Sequence, residues 1–132
     1  MIFLLPLMLL GASYGYFYGI KGDDQAAAVD IKDIKQYPMD SFTANLADMG
    51  QTRYIRTSIT LEYLDKKAAE ELDIKKHRLN DIIITSLREK TVSDLDSPEK
   101  TQKLKNELLS KINSELTKGK LTGLYFNEFI IQ

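Results

Sequence analysis

His77 is the one histidine of this 132-residue chain and sits in the run Asp73-Ile-Lys-Lys-His-Arg. Acid–base catalysis or metal binding through an imidazole needs partner groups around it. The chain has no second histidine and no cysteine, so His77 reads as a solvated residue on a helix face. Glu70, Glu71 and Asp73, and further on Asp94 and Asp96, lack the alternating ligands and fixed glycine of a calcium loop. They read as helix charges and caps. The seven glycines are scattered and form no phosphate-cradling loop, and no serine or threonine lies in a nucleophile elbow. These residues assign no catalytic group, no cofactor site and no metal site.

With chemistry absent from the spacing, the elements themselves carry the information. Eighteen basic and nineteen acidic residues leave a net charge of −1, which offers no electrostatic footprint for nucleic acid. The charges are unevenly placed. Met1 to Ile20 contains none, and every charged residue follows it. A helix of about 20 residues at about 1.5 Å per residue matches the roughly 30 Å apolar core of a bilayer. It also satisfies its own backbone hydrogen bonds there. A transmembrane helix over residues 1–20 is the expectation. A cleaved signal peptide is the rival, with Ile2–Leu10 as its apolar core and Gly11-Ala12-Ser13 at the cleavage site. Against it, no Lys or Arg precedes the run, and the apolar character continues through Tyr14-Gly-Tyr-Phe-Tyr18. A buried core helix is a second rival, disfavoured at this length. The missing basic flank leaves room for an upstream cytoplasmic segment.

Gly11, Gly15 and Gly19 recur every four residues, which places them on one helix face where another helix can pack closely. Glycine is also simply common in membrane helices. Tyr14, Tyr16, Phe17 and Tyr18 resemble an interfacial aromatic belt, and Pro6 lies near the helix start or kinks it. Lys21 alone flanks the span, so charge decides orientation poorly. A polar domain after a first apolar span is most often translocated, which favours the N-terminus inside and the domain outside.

Residues 21–36 are charged and alanine-rich and read as a linker, with Asp23 or Asp24 able to cap a helical stretch from Gln25. Residues 37–132 are enough for one domain and too few for two. Tyr37–Asp48 alternates loosely, Met49-Gly50-Gln51 reads as a turn, and Arg53–Tyr63 is β-branched with near-alternating Ile55, Ile59, Leu61 and Tyr63. A hairpin connects them most simply. A helix is predicted from Lys66 to about Lys90, with Ala68, Leu72, Leu79, Ile83 and Leu87 on its apolar face and Ile82–Ile84 deeply buried. A second starts at Asp96-Ser97-Pro98-Glu99, repeats Leu104, Leu108, Ile112 and Leu116, and ends at Gly119 as a left-handed cap. Leu121–Gln132 is aromatic and strand-like, with Leu124, Phe126 and Ile130 on one face, and is expected inside the sheet. Strand, strand, helix, helix, strand makes an α+β domain with helices on one face.

Several segments, in order, resemble the FliL family of flagellar basal-body-associated membrane proteins. The family's NLAD and RYL are similar to Asn45-Leu46-Ala47-Asp48 and Arg53-Tyr54-Ile55. Its (R)DAIIxLL segment resembles Asn80–Leu87, its K(I)NxxL resembles Lys111–Leu116, and its VYFxxFxxQ resembles Leu124–Gln132. The chain departs at Glu99-Lys100-Thr101, where members often have Glu-Gly-Lys. The resemblance implies a domain akin to the stomatin/prohibitin (SPFH-like) fold, in the periplasm and anchored in the bacterial inner membrane at the flagellar basal body. It implies partners rather than substrates: copies of itself in a ring, a MotA/MotB-type stator, the basal-body membrane ring and membrane lipid. The implied role is non-enzymatic and needs no cofactor, holding the stator engaged so that the motor delivers torque. The family positions Asn45, Asp81, Asn113, Phe126 and Gln132 read mainly as caps and core, and Arg53, Arg56 and Lys66 as solvated charges or contacts to a neighbour. A general SPFH-like membrane scaffold without a flagellar partner competes with this reading. So does a released binding protein whose mature chain starts near Tyr14.

Overall fold

The computed structural model describes residues 29–132. The span expected over residues 1–20, its three glycines and the helical start at Gln25 lie outside them. Among the described residues, no helix is long and apolar enough to cross a membrane. Residues 29–33 hold one 3-10 turn, Ile31–Asp33, with no buried side chain. Ile34–Gln132 forms a separate compact unit.

That unit runs β1 (Lys35–Asn45), β2 (Tyr54–Tyr63), α1 (Lys66–Ile74), α2 (Lys76–Arg88), α3 (Pro98–Glu115) and β3 (Leu121–Ile131). It is an α+β fold built on a three-stranded antiparallel sheet with β2 in the centre. Successive strand side chains point to opposite faces. Ile55, Thr57, Ile59 and Leu61 are therefore buried together against the helices, while Arg56, Ser58, Thr60 and Glu62 face away from them. Leu72 of α1, Leu79, Ile83 and Leu87 of α2, and Leu104, Leu108 and Ile112 of α3 complete the core. Each such side chain contributes about 1.5–3 kcal/mol by leaving water. Ser97 caps α3 by accepting from the Lys100 N–H, and Pro98 occupies its first turn. Gly50 takes φ +81° in the β1–β2 connection, a conformation that costs a residue with a Cβ about 1–2 kcal/mol.

Several expectations are corrected. The helix expected from Lys66 to Lys90 is two, α1 and α2, separated at Lys75 (φ −98°, ψ 10°). Lysine is a good helix former, so tertiary contacts override propensity here. The Lys75 ammonium bonds Glu71 and the Glu115 carbonyl. Within Ile82–Ile84 only Ile83 is fully buried, and Ile84 is exposed. Gly119 is no left-handed cap: α3 ends at Glu115, where Leu116 turns extended and drops into the core. Gly119 is needed for close approach, because a Cβ there would sit 3.1 Å from the Ala68 Cβ.

The closing strand lies at the sheet edge and not inside it. Its alternation also breaks. Ser58 pairs with Glu128 but Ile59 pairs with Phe126, so Asn127 is the extra residue of a β-bulge. Leu124 and Phe126 point inward before the bulge, and Phe129 and Ile131 point inward after it. Ile130 is thereby sent to the outer face and is exposed. Thr122 is the extra residue of a second bulge in β3, and a third irregularity interrupts β1 between Pro38 and Ser41. β1 itself begins at Lys35, two residues within the stretch read as linker.

Candidate functional site

The end of the sheet at Asn45, Tyr54 and Gln132 is tied across all three chain segments. Asn45 pairs with Tyr54, and Tyr54 exchanges both backbone hydrogen bonds with Gln132. The Tyr54 hydroxyl donates to the Gln132 Oε1 at 2.7 Å. Just beyond β1, the Ala47 N–H donates to the Lys90 carbonyl, and Asp48 Oδ2 accepts from the Val92 N–H. The Asn45–Asp48 segment thus straps the hairpin to the connection between α2 and α3. Within that connection Asp94 accepts from the Thr91 N–H and hydroxyl, which hold its carboxyl below the usual range.

A second cluster sits at the opposite end. Glu71 is buried and accepts from the Thr117 N–H, the Thr117 hydroxyl and the Lys118 N–H, while Lys75 pairs with it at 2.8 Å. The Lys75 ammonium first, then these backbone donors, outweigh burial and hold its carboxyl down to about 2. Asn113 bonds both backbone groups of Leu121, receiving its N–H at 2.7 Å and donating to its carbonyl at 3.3 Å. Both devices anchor the turn that leads from α3 into β3. Nearby, Tyr37 of β1 donates to Asp73 of α1, and burial together with that carboxylate raises its phenol to about 12. On α3, burial pushes the Glu107 carboxyl up, but Lys90 and Lys111 outweigh it and hold it low.

The third region is the free edge of β3. Phe126 and Phe129 stack with centroids 5.2 Å apart on the inner face. With Leu95, Pro98, Gln102 and Lys105 they line an open groove of about 610 Å³. Tyr125 lies on the outer face, where Glu62 holds its phenol above the ordinary value. The Lys105 ammonium reaches around the edge to within 4.9 Å of the Tyr125 ring centre. Gly123 makes room for this ring, since a Cβ there would lie 2.9 Å from it.

The family positions named from sequence are therefore spread out. Asn45 and Gln132 flank Tyr54, Asn113 holds Leu121, and Phe126 floors the groove. Asp81 is exposed on α2, apart from the others, and His77 is exposed on the same helix. Among the described residues, no three His, Cys, Asp or Glu side chains gather in a way that could hold a metal. Sequence reasoning missed Glu71, Asp48 and Lys105. For Glu71 a signal was present: it is the one acidic residue falling within the Ala68–Leu72 stripe.

A family model described as flagellar basal body-associated protein FliL matches residues 36–132. The chain belongs to the FliL family. Flagellar protein FliL of Aquifex aeolicus is 40% identical over 91 residues, which are 69% of this chain and 56% of that protein. Flagellar protein FliL of Bacillus subtilis is 30% identical over 93% of this chain and 87% of its own length. The flagellar FliL protein of Caulobacter vibrioides is 30% identical over 62% of this chain. This FliL-family chain thus spans little more than half of the Aquifex relative and 40% of the Caulobacter one. The matched stretch contains the sheet-end row, the Glu71 cluster and the β3 groove, so these features lie within the part of the chain that the family model covers.

Proposed function

We propose that this FliL-family chain is a non-enzymatic accessory of the flagellar motor, anchored in the inner membrane by residues 1–20 and linked through residues 21–36 to a periplasmic, SPFH-like domain. Copies assemble into a ring around a MotA/MotB-type stator and hold it engaged so that torque is sustained. The observation that carries the reading is the family match over the whole folded unit, joined to a leading run of twenty residues without a formal charge. The fold is consistent with scaffolding: its buried polar groups tie elements to one another. Gly11, Gly15 and Gly19 supply a face for helix association within the membrane. A tether raises the local concentration of domains, so each contact in a ring can be weak.

The test is crosslinking and mass spectrometry on the membrane-inserted chain in swimming cells, paired with motility of a deletion strain in viscous medium. Stator crosslinks together with load-dependent loss of swimming are expected. Self-crosslinks without motor proteins, with normal swimming, would replace this reading by a general membrane scaffold.

A further inference from the structure

A closed ring of like copies needs two different surfaces on each copy, which meet head to tail. The sheet has two free edges of unlike character. The β1 edge carries Pro38 and a bulge, both devices that blunt strand addition. The β3 edge contains no proline; its two bulges fall at Thr122 and Asn127, and beyond the second Glu128–Ile131 runs regularly. Alongside this stretch the inner face is left open, because Phe129 and Ile131 are only partly covered. An extended segment joining this edge would place alternate side chains on the aromatic floor.

The chain also carries an unsatisfied apolar segment just before β1. Val29 is 54% exposed and Ile31 is 83% exposed, and the two share a face once the Ile31–Asp33 3-10 turn opens into an extended strand. Asp33 forms no ion pair among the described residues, and neither does Lys105 on the groove's rim. The two charges are opposite. The segment cannot serve the groove of its own copy. Phe129 is in register with Thr57 and hence with Phe42, about 23 Å along β1 from Lys35 at about 3.3 Å per residue. Ile31 is joined to Ile34 by a chain that spans about 11 Å at most.

We propose that the groove between β3 and α3 receives residues 29–34 of a second copy, added beside Glu128–Ile131 with Val29 and Ile31 on the Phe126–Phe129 floor and Asp33 facing Lys105. This inference rests on the ring reading above and names its repeating contact. The contact is small, and on its own it falls within the weak, transient class of interfaces. Membrane tethering makes such a contact sufficient.

The chain has no cysteine, which gives a clean background for crosslinking the full chain in vesicles. Ile31→Cys and Gln102→Cys are introduced singly and together, both at exposed positions, and joined with a short bis-maleimide. The double variant is expected to give a ladder of multimers, and a mixture of the two single variants only dimers. Adding Ile31→Asp in place of the cysteine, with native association followed by light scattering in mild detergent, should weaken assembly about tenfold. Crosslinks of Gln102→Cys to itself would overturn the proposal in favour of a two-fold contact. Failure of the double variant to crosslink, while the chain still assembles, would overturn this surface and leave the ring standing. Failure to assemble at all would remove both.

Discussion

Glu71 shows how one carboxylate can organise an end of a domain. Its folded pKa of about 2 lies below the ordinary 4.5, so it favours the folded state above pH 4.5. That contribution fades as acidification proceeds from 4.5 toward 2. Denaturant titrations across this window should show the native chain losing stability with falling pH and Glu71→Gln following a flatter course. An equal slope in both would mean that the carboxylate is not the titrating group. Leu108 tests the core itself: fully buried on α3, its replacement by Ala should cost about 2–5 kcal/mol in chemical unfolding. The apolar residues of this core were legible from spacing alone, because helical periodicity reports burial directly. For Glu71 the spacing hinted only at burial on the Ala68–Leu72 face, since Lys75 is near but its Thr117 and Lys118 donors lie more than forty residues away.

At the level of elements, the alternation rule failed where a single residue was inserted. The Asn127 bulge explains why Ile130 is outside and Phe129 inside, which no two-residue period foretells. Thr57 stabilises this irregularity, since its buried hydroxyl donates to the Glu128 carbonyl at 2.6 Å. Thr57→Val keeps the shape but removes the donor, and unfolding measurements should register a loss of about 1–3 kcal/mol. Wild-type stability in that variant would show that the carbonyl finds water instead. The turn at Gly50 was readable, because glycine between two strand patterns signals positive φ. Gly50→Ala meets no neighbouring atom, so its expected cost of about 1–2 kcal/mol is purely conformational. The break at Lys75 was unreadable for the opposite reason: a good helix former is bent by contacts to Glu71 and Glu115.

For the whole molecule, order and class of elements followed from sequence, while their lateral placement did not. The apolar closing strand suggested an interior position, but β2 holds the centre and β3 the rim. A strand this apolar is tolerated at an edge because α3 covers Leu121 and Leu124, and because Phe126 and Phe129 shelter one another. Gly123 and Tyr125 mark that rim on its other face. Gly123→Ala should push the Tyr125 ring off its seat and bring its phenol back toward the ordinary value, a change visible in ultraviolet titration. An unaltered titration curve would mean that the ring accommodates the methyl group without leaving Glu62.

The antiparallel order has a mechanical consequence. β1 and β3 run in the same direction on either side of β2, so Lys35 and Ile131 lie at opposite ends of the sheet. Inter-strand hydrogen bonds run perpendicular to the strands. A pull applied at Lys35 and resisted at Ile131 therefore loads both ladders in shear, with many bonds sharing the force at once. Tension between Asn45 and Ile131, at the same end, peels the bonds one after another. Optical-trap unfolding through those two pairs of attachment points should give a clearly higher rupture force for the first. A domain loaded at Lys35 and held at its β3 rim would thus be stressed along its strongest axis.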